Sequence, residues 1–153
     1  MELSGILKPE AVKVFSAASS KKRLFQEIGE VANGAYRLNA QSTVEALLER
    51  ETLGPTGVGH GVALPHARLS DLQDVIGIFM MLEKPIDFGA VDRQPVDIAF
   101  ALFAPEDAGV EHLKALALVS RTLREPSLCS KLRANLDATT LYAILTETQP
   151  QAA

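Results

Sequence analysis

Val75-Ile76-Gly77-Ile78-Phe79-Met80-Met81-Leu82, followed after a polar interval by Val96-Asp97-Ile98-Ala99-Phe100-Ala101-Leu102-Phe103, decides how this chain folds. Each run is almost wholly apolar, without the alternation of a strand that has one wet face. That is the pattern of a central β-strand covered on both sides. Neither run approaches the ~20 apolar residues needed to cross a bilayer. Pro95 and Pro105 bound the second run. Val62-Ala63-Leu64 reads as a third, short strand that stops at Pro65.

Outward from these strands the period changes to that of helices. Leu24, Phe25, Ile28, Val31, Ala32 and Ala35 recur at helical spacing, with Ser19 or Ser20 as cap and an expected end near Asn33-Gly34. A second helix is capped by Asn39, turns Val44, Leu47 and Leu48 inward, and carries Arg50 near its C-terminal end, where a cation suits the helix dipole. Three more helices are expected at about Gly109 to Arg124, Pro126 to Asn135 and Thr139 to Thr146, with Pro126 in a first-turn position. In the first of these, Leu113, Leu116, Ala117 and Val119 read as the core stripe. Helices on either side of buried strands predict an α/β fold with helices on both sheet faces. The tail, residues 148–153, is expected to fray.

Composition narrows the function. The chain has 153 residues, enough for one hydrophobic core, with 47 % apolar and 22 % charged residues. Its net charge is −4, and no basic block stands out beyond Lys21-Lys22-Arg23, so nucleic-acid binding is not expected. The single cysteine, Cys129, cannot form an internal disulfide and reads as a small buried hydrophobe. The N-terminal residues lack the basic and apolar regions of a signal peptide. A cytoplasmic protein with no membrane insertion is expected.

Between the second helix and the short strand lies Gly54-Pro55-Thr56-Gly57-Val58-Gly59-His60-Gly61, read as a loop because four glycines in eight residues exclude a helix interior. His66 follows it, presented by the stiff Pro65 on what reads as a loop. Gly57, Gly59 and Gly61 would let backbone N–H groups approach an anion. His112 sits in the first turn of a helix, where free N–H groups and the dipole favour a phosphoryl group. Arg50 offers a planar fork of donors that matches phosphate oxygens. Spacing alone does not bring these three distant segments together.

Other chemistries fit less well. No Gly-Lys-Ser/Thr follows the glycines, and Gly-x-Gly-x-Gly leads into a strand, so neither a Walker loop nor a dinucleotide fingerprint is present. His60, His66 and His112 could suggest zinc and a metal-dependent hydrolase, but no compact ligand cluster accompanies them. Asp87 and Asp92 flank a turn-rich segment without the pairing of acid–base chemistry, and Glu106-Asp107 reads as a solvated loop.

The stretch from Thr56 to His66, TGVGHGVALPH, closely resembles the signature around the phosphorylated histidine of phosphotransferase-system IIA proteins of the mannitol/fructose class. The resemblance continues through Leu47-Leu48-Glu49-Arg50-Glu51, His112-Leu113-Lys114-Ala115-Leu116-Ala117-Leu118-Val119 and Cys129-Ser130-Lys131-Leu132-Arg133, and is greatest to the nitrogen-regulatory type. It covers essentially the whole chain. It implies a single EIIA type-2 domain over residues 1–153, built on a mixed β-sheet flanked by helices. It implies His66 as phosphoryl acceptor through Nε2, His112 as the second active-site histidine, and Arg50 as the phosphate-stabilising arginine. Thr56, Gly57, Gly59 and Gly61 would line the phosphate, and His60 has no catalytic role. The implied donor is an HPr-like phosphohistidine protein fed from phosphoenolpyruvate through an enzyme I homologue. No metal or cofactor is needed. A regulator acting on target proteins through its phosphorylation state is the first reading, because no fused IIB, IIC or HPr-like domain is expected. A free-standing sugar-transport IIA passing phosphoryl to a IIB protein is the alternative.

Overall fold

The computed structural model describes residues 1–147; the tail expected to fray lies outside the described residues. After a short 3-10 turn at Leu3–Gly5, the elements are β1 (Leu7–Phe15), α1 (Lys21–Tyr36), α2 (Ala40–Glu51), β2 (Gly57–Gly59), β3 (Val62–Ala63), β4 (His66–Leu69), β5 (Ile76–Ile86), β6 (Val96–Pro105), α3 (Val110–Leu123), α4 (Pro126–Arg133) and α5 (Ala138–Glu147).

The strands form one mixed sheet in the order β1-β5-β6-β3-β2, with β4 also pairing β6. β5 and β6 run antiparallel through its centre, and β1, β3 and β4 join them in parallel. Ile78, Phe79, Met80, Met81 and Leu82 are consecutive and all buried, as are Ile98 through Ala104. Consecutive burial means that both pleat faces are covered, as the two apolar runs require. The covering helices are α1 and α5 against β1, α2 against β4 and α3 against β6. Phe25 of α1 meets Phe88 edge to face at 5.9 Å, and Phe79 meets Phe100 at 6.2 Å within the sheet. The structure is α/β with helices on both faces, as expected.

Several local expectations are corrected. β1 has no counterpart in the sequence reading. It is an edge strand that contains Pro9, charged residues and a register shift, and these blunt edge pairing at the cost of a clear pattern. α1 does not stop at Asn33-Gly34. It continues to Tyr36, whose hydroxyl donates to the Gly77 carbonyl at 2.7 Å, and it ends where Arg37 turns left-handed. Ser20 is its cap, accepting from Arg23 N–H; Asn39 caps α2 in the same way, accepting from Ser42 N–H. In α3 the buried stripe is His112, Ala115, Leu118, Val119, Thr122 and Leu123. Leu113 is 65 % exposed, so the expected core stripe was rotated on the helix. Cys129 is buried, as expected, and its thiol donates to the Leu123 carbonyl.

The glycine-rich segment is more ordered than a loop. β2 and β3 form a hairpin in which Gly59 pairs with Val62 across the two-residue turn His60-Gly61. Both turn residues have positive φ, 58° and 81°, as a type I′ hairpin needs. His66 is likewise not on a loop. It opens β4, opposite Leu102 of β6.

Candidate active site

β3 and β4 share the edge of β6 in one register, Val62 opposite Ile98 and His66 opposite Leu102. Only Leu64-Pro65 separates them. The Pro65 carbonyl accepts from Leu102 N–H at 2.9 Å and carries the ladder across the gap. Leu64 N–H instead donates to the Thr56 carbonyl at 2.9 Å. The Leu64 carbonyl is left to accept from the His66 ring, whose Nδ1 lies 2.8 Å away.

That contact fixes the chemistry of the imidazole. A carbonyl only accepts, so Nδ1 carries the proton and the lone pair of the neutral ring sits on Nε2. Burial lowers the pKa of His66 from the ordinary 6.5, and the nearby Arg50 guanidinium lowers it further; the Leu64 carbonyl and Glu51 act in the opposite direction. The first influence dominates, so the ring is neutral at pH 7 with a free electron pair.

His112 projects from the first turn of α3 to place its ring 5.7 Å from that of His66, at an interplanar angle of 70°. It is buried, and its Nε2 is a buried nitrogen without a hydrogen-bond partner among the described residues. Such orphans are rare in native proteins and call for an explanation. Burial lowers its pKa, as do His66 and Arg68 nearby. Arg68 lies two residues beyond His66 on β4. Its Nη1 donates to the Glu106 carbonyl at 3.0 Å and also to the Ala108 carbonyl, tying down the segment that leads into α3. The sequence reading missed this residue; its spacing from His66, which puts both on one face of a strand, was the available signal.

Arg50 is half-buried at the end of α2, where its Nη1 donates to the Gly54 carbonyl at 3.1 Å. The remaining guanidinium donors are available to a ligand. The phosphate-lining candidates have other work in this structure. Thr56 donates its N–H to Glu51 Oε2 at 3.0 Å and its hydroxyl to Glu51 Oε1 at 2.7 Å. A Cβ on Gly57 would lie 2.6 Å from Ala90 Cβ, so this glycine permits a close backbone approach. Gly59 lies beside Asp92, and Gly61 faces Arg133, which is held by Asp97 and the His60 carbonyl. His60 is exposed, with its N–H on Asp92. Glu51 was also missed: its side chain is only 8 % exposed and it pairs with Lys21 at 2.8 Å.

A cleft of about 670 Å³ lies between the β2–β3 hairpin and helices α3 and α4. Leu64 and His60 line it, but His66 and His112 do not, so the paired histidines lie outside this cleft. Among the described residues no group of three His, Cys, Asp or Glu is arranged to hold a metal ion, and no helix is long and apolar enough to cross a membrane.

Known proteins are similar to this chain in sequence and fold. The chain is 44 % identical over 145 residues to a nitrogen regulatory protein of Bradyrhizobium diazoefficiens, covering 95 % of each chain. The crystal structure of nitrogen regulatory protein IIA-Ntr from Neisseria meningitidis superposes with a TM-score of 0.84 at 36 % identity, covering 93 % of this chain and 97 % of that one. A more distant match is the mannitol IIA in a complex with phosphorylated mannitol IIB from Escherichia coli. Its TM-score is 0.75 at 18 % identity, over 94 % of this chain and 99 % of that one, which is a likeness of fold. The family described as phosphoenolpyruvate-dependent sugar phosphotransferase system, EIIA 2, matches residues 5–148, and the chain belongs to that family.

Proposed function

We propose that this chain accepts a phosphoryl group on Nε2 of His66 from a phosphohistidine of an HPr-like carrier, and that the phosphorylation state then regulates target proteins. The observation that carries this reading is the 2.8 Å contact of His66 Nδ1 with the Leu64 carbonyl, beside the His112 ring. The Nε2 lone pair forms the new N–P bond while the donor's N–P bond breaks, its electron pair leaving on the donor imidazole. Nδ1 keeps its proton throughout, so the transfer needs no base. Negative charge on the equatorial oxygens meets the free donors of Arg50 and an Nε2–H of His112, which would give that buried nitrogen its partner. Neither a metal nor a nucleotide takes part.

The likeness to nitrogen regulatory proteins supports the regulatory reading over sugar transport, and a cytoplasmic location goes with it. Val58, Val110 and Leu113 are large apolar side chains left exposed, the last two flanking His112 in sequence; they suit the apolar contacts of a docking partner. Val62 and Leu64, close to Val58 in the chain, are buried and belong to the core instead. The test is to incubate the purified protein with phosphoenolpyruvate and homologues of enzyme I and HPr, then map the product by mass spectrometry. Handling must stay neutral or basic because phosphohistidine is acid-labile. One phosphoryl group on His66 is expected, and a label at any other residue would overturn the assignment. Onward transfer to a IIB-type acceptor, with target binding unchanged, would favour the transport alternative.

A further inference from the structure

The buried carboxylate of Glu51 is not explained by phosphoryl transfer as described above. It ends α2, next to Arg50, and both of its oxygens are occupied. Oε2 accepts from Thr56 N–H at 3.0 Å and from Lys21 Nζ at 2.8 Å; Oε1 accepts from the Thr56 hydroxyl at 2.7 Å. Thr56 is itself buried. Its carbonyl, held by the same clamp, accepts from Leu64 N–H at 2.9 Å. The Leu64 carbonyl accepts from His66 Nδ1 at 2.8 Å. Lys21, Glu51, Thr56, Leu64 and His66 therefore form one continuous line of hydrogen bonds from the start of α1 to the nucleophile.

Leu64 is where this line leaves the sheet. Its neighbours Ala63 and Pro65 are bonded or paired to β6, whereas Leu64 turns toward Thr56. The Leu64 N–H bond fixes the preceding Ala63–Leu64 peptide unit, and the Leu102 N–H on the Pro65 carbonyl fixes the following Pro65–His66 unit; held from both ends, the Leu64–Pro65 unit keeps its plane and aims the Leu64 carbonyl at the imidazole. Pro65 removes the N–H that could otherwise compete for that plane. The Leu64 carbonyl is the hydrogen-bond partner of Nδ1, so the tautomer of His66 is set by whatever orients Leu64.

We infer that Glu51 is a positioning residue for phosphoryl transfer: through Thr56 and the Leu64 peptide it holds His66 as the Nδ1–H tautomer, with the Nε2 lone pair outward. Charge is part of its role. Three donors converge on this one carboxylate, and charge-assisted bonds are the shorter and stronger kind. An amide at the same place has a single acceptor oxygen and turns an NH₂ group toward the remaining donors. Glu51→Gln therefore keeps the volume and loses the clamp. Partners that orient a reactive histidine from one bond further out commonly change activity by about 10–100-fold when removed, the best-documented cases being metal-bound histidines.

This inference rests on His66 being the acceptor, but its first test does not. Nitrogen-15 NMR of ring-labelled protein at neutral pH reads the His66 tautomer directly, without any phosphoryl donor. The wild type is expected to be almost entirely Nδ1–H. Glu51→Gln should shift a measurable fraction to Nε2–H, Thr56→Val a smaller fraction, and Thr56→Ser none, because serine retains both donors. In the second test, initial phosphorylation rates should fall by about tenfold in Glu51→Gln while the label stays on His66. An unchanged tautomer in folded Glu51→Gln and Thr56→Val overturns the inference, whatever the rates do. If Glu51→Gln does not fold, Thr56→Val against Thr56→Ser decides alone. If no variant, the wild type included, is labelled on His66 while the tautomer still responds, the functional assignment fails and the relay stands.

Discussion

Replacing His66 by alanine separates the chemistry of the site from its contribution to the fold. The substitution removes the Nδ1–H that bonds the Leu64 carbonyl, together with half-buried ring surface against His112. Leaving a buried acceptor unpaired costs about 1–3 kcal/mol, and the lower part of that range applies because the vacated space opens to water. For a domain of this size 1 kcal/mol moves Tm by roughly 2–4 °C, so a loss of about 1–2 kcal/mol predicts a Tm lower by about 2–8 °C with a cooperative transition retained. Phosphorylation, in contrast, should vanish. The competing imidazole nearby, His112, is only 6 % exposed in the wild type and stands 5.7 Å from the ring that is lost, so a donor docked for His66 does not reach it in line. The assay pairs a thermal melt with intact-mass measurement after incubation with the phosphoenolpyruvate-driven donor system. Stoichiometric label in His66→Ala refutes the acceptor assignment. Label that moves to His112 refutes the argument from burial while leaving the pair of histidines as the site. A protein that no longer unfolds cooperatively shows that the ring is part of the core.

The supporting residues have a different signature. His112→Ala and Arg50→Ala should slow transfer without moving the label. Removing one preorganised donor costs on the order of 10²–10³ in well-studied enzymes, and less is expected here because two side chains share the charge; wild-type rates in both variants would remove them from the site. Stability should depend on pH near the ordinary histidine value of 6.5, since burial lowers both His66 and His112. Above 6.5 both rings are neutral in folded and unfolded chains and the full stability is present. As pH falls below 6.5 the unfolded chain takes up protons that the folded one refuses, and stability is lost until the folded pKa values are passed. Tm measured from pH 8 to 5 should show this decline, and a shallower slope is expected in His112→Gln; identical slopes would contradict it. Gly57→Ala should cost about 1–3 kcal/mol, because the new methyl would sit 2.6 Å from Ala90 Cβ and 3.0 Å from Ala90 Cα; an unchanged urea midpoint would show that the hairpin moves freely. Phosphorylation of His66, adding roughly −1.5 to −2 charges, should change affinity for a regulated target by about 5–150-fold without refolding the domain. Titrating one identified target with both forms tests this, and equal affinities would exclude the switch for that target.

The sequence by itself determined the layers of the fold and the family to which the chain belongs. The runs Val75–Leu82 and Val96–Phe103 read as strands covered on both faces, because consecutive apolar residues leave no polar side. Ser20, Asn39 and Pro126 marked helix starts, since capping chemistry is local. TGVGHGVALPH pointed to His66 through its resemblance to the signature around the phosphorylated histidine of phosphotransferase-system IIA proteins. Tertiary structure decided everything that depends on distant partners. It added β1, whose proline and charged residues are explained only by its place at the sheet edge. It turned α3 so that His112 faces inward and Leu113 outward; a helical period fixes spacing but not absolute phase. It placed Thr56 on Glu51, whose carboxylate takes up both its N–H and its hydroxyl. It also brought His66 to His112, 46 positions apart in the chain, and set the imidazole against the Leu64 carbonyl. A backbone carbonyl has no signature of its own in a sequence, so the atom that sets the tautomer of His66 became visible only when the peptide plane was fixed by the fold.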